Sequence, residues 1–280
     1  MVKAHSISLW SAAGSTGRST IALAVASELA EAGHSVFLLD ADTVAPSLNL
    51  MLGLTDHPAG IAAACRLVSA ERFDLEQLHR LSVSYSTGTR KLTLMTGLSA
   101  ASRWPELTTD RVEQVLMVAA EHFDFIVCDL ANSLEVGLRH FETGLERNAL
   151  TRWLASSADQ LIAVVNADPV GVHRFLEEVP NLQSLKLAGE QHILVNRLRN
   201  TVLGNSAKQQ IAETLSRLAQ VSVSGYIPDD PIAADLALRD AMPLSLAKRN
   251  SSARQAIELF VRNHILIQRS DLDRRVAKLV

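Results

Sequence analysis

The chain has 280 residues, 48% of them hydrophobic and 20% charged, enough apolar material for one large α/β domain or two small ones. Its formal net charge of −3 gives no bulk argument for nucleic acid or an acidic membrane as partner. Its two cysteines, Cys65 and Cys128, stand far apart and argue for a reducing cytosol and against a disulfide scaffold. No apolar run approaches the ~20 residues that cross a bilayer. The apolar part of MVKAHSISLW is too short for a signal peptide, so a soluble, cytoplasmic protein is expected.

In chain order, SISLW (6–10) predicts a first strand, and SAAGSTGRST (11–20) follows it as a glycine-containing loop. STIALAVASELAEAG (19–33) predicts a helix with Ile21, Val25 and Leu29 on one face and Gly33 as its stop. SVFLLD (35–40) predicts the second strand, and Cys65 in GIAAACRLV a helix-packing residue. Further strands are predicted over 91–97, 123–130, 160–167, 192–198 and 221–228, with helices over 109–123, 205–220 and 252–267. Most of these strands are continuous Val/Ile/Leu runs, as expected where both faces are buried. Strands alternating with helices predict an α/β fold with a doubly wound, mostly parallel sheet flanked by helices. One domain over 1–268 is the economical reading, with 269–280 as a tail or helix extension carrying Leu272, Val276 and Leu279 on a weakly apolar face.

The loop has the outline of a phosphate binder. Such loops surround an anion with successive backbone N–H groups and a helix N-terminus. A Lys reaches the β/γ-phosphates, and a Ser or Thr hydroxyl meets Mg²⁺. Gly14 and Gly17 supply the turn, Arg18 stands at the Lys position, and Ser19 and Thr20 supply hydroxyls. Asp40 and Asp42 follow the second strand, and Asp129 ends FDFIVCDL. All three therefore fall at the carboxyl edge of the sheet, where open α/β sheets bind ligands. Singly, each is explained as a strand-end cap or turn former. Three behind one glycine loop point to a nucleotide site with acids for Mg²⁺ and for an attacking water.

GSTGRSTIALAVASELAEAG, VFLLDADTVAPSLNLMLGL, FDFIVCDL, ADQLIAVVNADPVGVHR, ILVNRLR and GYIPDDP, in that order, resemble the MinD/ParA family of dimerising P-loop ATPases over nearly the whole chain. The likeness is greatest to the CpaE/TadZ-like branch, which positions pilus or secretion machinery and often carries degraded phosphate loops. GLSAASRWPEL adds to this less specifically. The resemblance implies ATP and Mg²⁺ as cofactors. It places Gly14, Ser15, Thr16, Gly17, Arg18, Ser19 and Thr20 on the phosphates and Ser19 on the metal. Asp40 would stand near the metal, Asp129 in its outer shell, and Asp42 on the hydrolytic water. Asn196 matches an adenine-reading asparagine, and Pro228, Asp229 and Asp230 match the segment around the base. The chain opens directly on its first strand, whereas CpaE-like proteins often carry an N-terminal receiver-like domain.

Two departures stand out. Ala13 replaces the lysine that family members extend to the partner's phosphates, and Arg18 replaces the loop lysine. An arginine fork keeps the charge but does not reproduce a compact ammonium. Hydrolysis, which relies on positioning and charge, is expected to be slow or absent while binding survives. Arg147 and Arg152 within 140–152, expected on a helix, could stabilise phosphate charge, but a solvated helix face explains them better. Arg197, Arg199, Lys248, Arg249 and Arg254 read by default as a solvated face, the last three being placed where relatives contact DNA phosphates. The histidines show no metal spacing. The implied partners are a second copy of the chain and proteins of a pilus, secretion or division apparatus, with recruitment to the membrane or pole through a partner. The alternatives are an inactive pseudo-ATPase scaffold and a DNA-partitioning ATPase.

Overall fold

The computed structural model describes residues 4–137 and 144–267. The tail 269–280, with Leu272, Val276 and Leu279, lies outside the described residues. Among the described residues, eight strands form one sheet: β1 (His5–Trp10), β2 (Val36–Ala41), β3 (Val83–Ser86), β4 (Lys91–Met95), β5 (Phe125–Leu130), β6 (Gln160–Asn166), β7 (Glu190–Leu198) and β8 (Val223–Pro228). Their order is β3-β4-β2-β5-β1-β6-β7-β8, parallel throughout except for the antiparallel β3–β4 pair. Strands β2 and β5 are buried at every residue, which is why their sequences are unbroken apolar runs rather than alternating ones. The edge strand β3, VSYS, alternates between half-buried and exposed. Its short polar sequence carries no buried-strand signal, and it was not expected.

Among the described residues the α-helices are α1 (Arg18–Glu31), α2 (Leu48–Met51), α3 (Gly60–Ser69), α4 (Leu75–Leu81), α5 (Thr109–Ala120), α6 (Ala149–Ser157), α7 (Pro169–Ser184), α8 (Asn200–Leu203), α9 (Ala207–Ala219) and, after β8, α10 (Pro231–Arg239), α11 (Leu244–Ala247) and α12 (Ser252–Phe260). A π-helical turn, Val261–Leu266, continues α12, so the helix expected over 252–267 changes geometry near its middle. One face of the sheet packs on α3 to α7 and α9 through Ile61, Val115, Leu154, Phe175 and Leu215. The opposite face packs on α1 and α10 to α12 through Val25, Leu29, Ala233, Ile257 and Phe260. This is the doubly wound architecture predicted from the alternation of elements.

Register positions the site. Leu9 of β1 pairs with Asp129 of β5, and Asp40 of β2 pairs with Asp129 on its other side. Two carboxylates are thus neighbours at the carboxyl edge, beside the strand that feeds the glycine loop. Helix α1 is buried on almost every side, because it lies between the sheet and the C-terminal helices. Arg254 of α12 ties down its far end, with Nε donating to Glu28 Oε1 at 2.8 Å and Nη2 to Oε2 at 3.2 Å. Arg254 is therefore committed to an internal contact rather than to the solvated face expected of it.

Burial raises the Glu28 carboxyl above its usual range, and Arg254 counteracts this. Arg254→Ala should destabilise the protein by about 3 kcal/mol by leaving a buried carboxylate unpaired. A carboxyl raised above its unfolded value retains its proton where the unfolded chain has lost it, so the native state loses ground as pH rises through that window. Denaturant titrations of variant and parent should therefore differ more at pH 8 than at pH 5. An equal gap at both would show that the Glu28 charge is not the cause.

Candidate functional site

The glycine loop joins β1 to α1. Gly14 and Gly17 have φ of 111° and 80°, in the left-handed region that glycine enters without strain. Gly17 also opens space on its other side: a Cβ there would lie 2.6 Å from the Asn196 Nδ2. The Asn196 amide uses that approach to donate to the Thr16 carbonyl at 2.7 Å, fastening the end of β7 to the loop. Trp10, fully buried, closes the floor by donating Nε1 to the Asn132 carbonyl at 3.0 Å and packing on Phe175. A cavity of about 440 Å³ opens above the loop, lined by Gly14 to Thr20, Asp42, Asn132 and Arg197.

Arg18 does not point into open space. Its Nε donates to Asp129 Oδ1 at 2.6 Å and its Nη2 to Asp42 Oδ2 at 2.5 Å. All three side chains are buried, Asp129 completely. Burial opposes the Arg18 charge, but Asp129 and then Asp42 outweigh it, so its proton is held above the ordinary value. The planar guanidinium meets the two carboxylates with separate N–H groups held in fixed directions. Burial also raises the Asp129 carboxyl, with Arg18 and the neighbouring Ser19 hydroxyl pulling it back.

Asp40 and Asp42 divide the segment after β2 between them. Asp40 Oδ2 accepts from the N–H groups of Ser47 and Leu48 at 3.0 and 3.1 Å, and its Oδ1 from Asp42 N at 3.2 Å. Asp42 Oδ1 accepts from Val44 and Ala45 N at 2.7 and 2.9 Å. Asp40 thus holds the backbone of residues 42–48, and both Asp42 oxygens already have donors. Fully buried, Asp40 is pushed up to about 7, by burial first and then by the Asp129 charge beside it.

Several predicted residues meet here and others do not. Gly14, Ser15, Thr16, Gly17, Arg18, Ser19, Thr20 and Asp42 line one cavity. Asp40 and Asp129 stand at its buried base through Asp42 and Arg18. Asn196 arrives at the loop backbone. Pro228, Asp229 and Asp230 end β8, three strands from β1, and none lines this cavity. Asp229 pairs with Arg199 at 3.2 Å, and Asp230 caps α10 by accepting from Ala233 N at 3.1 Å. Arg147 lies in a turn before α6 rather than in a helix, and its Nη2 donates to the Thr43 carbonyl at 3.1 Å. Arg152 holds Glu146 at 3.1 Å, and the start of the 140–152 stretch, residues 140–143, lies outside the described residues. Sequence reasoning missed Arg197 as a cavity residue; its signal was its place beside Asn196 at a strand end.

For a divalent ion the fit is partial. Among the described residues no group of three or more Asp, Glu, His or Cys side chains forms a metal cluster. Asp129 Oδ2, however, is buried and accepts no hydrogen bond, with Ser19 beside it. An ion there would need phosphate oxygens to complete its ligands.

The sheet order and its two helical layers match the fold of solved ParA- and MinD-type structures. Residues 2–129 match the ParA family model, described as NUBPL iron-transfer P-loop NTPase. The chain is 28% identical over 258 residues to an uncharacterized ATP-binding protein of Methanocaldococcus jannaschii, covering 91% of this chain and 85% of that one. A ParA family ATPase from Chlorobium tepidum superposes with a TM-score of 0.74 at 17% identity, covering 93% of this chain and 98% of that one. The septum site-determining protein MinD from Pyrococcus horikoshii, solved with Mg-ADP, superposes at 0.67 with 20% identity, covering 94% and 97%.

Arg18→Gln would leave the buried carboxylates of Asp42 and Asp129 without their cation and should destabilise the protein by about 3–5 kcal/mol. Asp40 and Asp129 both titrate above their unfolded value. Their native-state protons are therefore an advantage that is lost as pH rises from the ordinary carboxylate range towards about 7. Chemical denaturation should show the Arg18→Gln loss growing between pH 5 and pH 8. A variant as stable as the parent at pH 8 would mean that Arg18 does not neutralise this cluster.

Proposed function

We propose that the chain is an ATP-binding positioning or assembly factor of the MinD/ParA type that dimerises on nucleotide and hydrolyses it slowly or not at all. The observation that carries this reading is the engagement of Arg18 by Asp42 and Asp129 beneath an open phosphate-loop cavity. The left-handed Gly14 and Gly17 support a loop able to wrap phosphate with backbone N–H groups. Asp42, the residue expected to orient water, has no unengaged oxygen. Ser19 and Asp129 are the groups that would hold Mg²⁺, which when bound would neutralise phosphate charge there.

The proposed process, from the CpaE/TadZ likeness, is localisation of pilus or secretion machinery, with recruitment to the membrane or pole by a protein partner. No helix among the described residues is long and apolar enough to cross a membrane. A pseudo-ATPase scaffold is the second reading, favoured by the same engaged Arg18. A DNA-partitioning role draws less support, because Arg254 and Lys248 pair with Glu28 and Asp230. Iron transfer draws none from the cysteines: Cys65 and Cys128 are buried on α3 and β5, with thiols pushed up to about 12 by burial.

Titration with ATP and Mg²⁺, followed by calorimetry, light scattering and phosphate release, should show binding and dimerisation with little turnover. Turnover that Asp42→Ala abolishes would instead make this a working ATPase. Absence of binding at millimolar nucleotide would leave the scaffold reading.

A further inference from the structure

Polyphosphate brings several negative charges to a site, and backbone N–H groups alone are partial charges. In this chain the loop's own cation is engaged elsewhere, since Arg18 donates to Asp129 and Asp42, and Ala13 supplies no charge. The other cationic side chain lining the loop cavity is Arg197. It is exposed and has no hydrogen-bond or ion-pair partner among the described residues, whereas its neighbour Arg199 is paired with Asp229.

The backbone around Arg197 is unusual. The β7–β8 register breaks between Val195 and Leu198, and Arg197 sits in that break with φ of 56°, a left-handed conformation that side-chain-bearing residues seldom adopt. Such outliers persist where the surroundings over-determine them, and they gather at ligand sites. Here the preceding residue is clamped, because the Asn196 amide holds the Thr16 carbonyl at 2.7 Å. The bulge and the clamp together fix the Arg197 backbone beside the loop and leave its guanidinium on the cavity wall. A merely solvated arginine requires neither device.

We propose that Arg197 is the phosphate-binding cation of this site, taking the polyphosphate of a nucleoside di- or triphosphate from β7 in place of a lysine in the loop. The proposal rests on the nucleotide-binding reading above and assigns its charge to one residue. A planar fork suits it, since two N–H groups can meet one phosphate.

The test is calorimetry of ATP and of inorganic tripolyphosphate, which has no base, on the parent and on Arg197→Ala, Arg197→Gly and Arg197→Lys. Glycine adopts the φ of 56° freely, so it guards against a variant that fails through strain. Both ligands should bind the Ala and Gly variants at least ten-fold more weakly, with Lys in between and melting temperatures unchanged. Arg217→Ala, an exposed substitution on α9 away from the loop, should bind as the parent does. Parent-like affinity in the Ala and Gly variants would overturn the assignment while leaving nucleotide binding intact. Loss of ATP affinity with tripolyphosphate affinity retained would also overturn it, placing Arg197 on the base. A parent that binds neither ligand would remove the nucleotide reading and this assignment with it.

Discussion

Everything at the carboxyl edge of this sheet depends on how three buried carboxylates are neutralised. Asp40, Asp42 and Asp129 lie at or beside adjacent strand ends, and a low-dielectric interior does not tolerate such a cluster without a cation. Arg18 is that cation, bonded to two of the three. Asp40 is accommodated differently, by three backbone N–H donors and a raised pKa. One side chain at the mouth of the glycine loop thus acts as an internal counter-ion, its charge facing inward.

The parallel register makes this arrangement unavoidable. Because β5 lies between β1 and β2, Asp129 is brought beside both the glycine loop and Asp40. Asp42 lies one residue past β2, and its own turn, closed on Val44 and Ala45, aims the second oxygen at Arg18. The segment after β2 is therefore coupled to the phosphate loop through a single guanidinium. In a nucleotide-binding protein of this fold, that coupling is a physical route between loop occupancy and the conformation of residues 42–48.

A second coupling runs through β7. Asn196 ties the loop backbone to the strand end, and the bulge that follows brings Arg197 to the cavity. Arg18 answers to the carboxylates, and Arg197 remains on the open side. Arg254 contributes at a distance, holding Glu28 and hence the rear of α1 against the C-terminal helices.

The sequence by itself determined the elements and their layering. Unbroken apolar runs at 35–40 and 123–130 have no stable place except between two helical layers, and Gly14 and Gly17 behind a strand permit the phosphate-loop turn. Edge strand β3 escaped notice because half of it faces solvent, so its pattern matches a loop. Pro228, Asp229 and Asp230 showed as a motif, but spatial separation is not written in local pattern, and β8 proves to be three strands from the loop. The direction of Arg18 and the place of Arg197 on the cavity wall belonged wholly to the tertiary structure. A guanidinium's partners are set by which strand ends the register brings together, and a bulge's hand by pairing with a neighbouring strand. Both are long-range consequences of packing, which composition, periodicity and spacing along the chain do not carry.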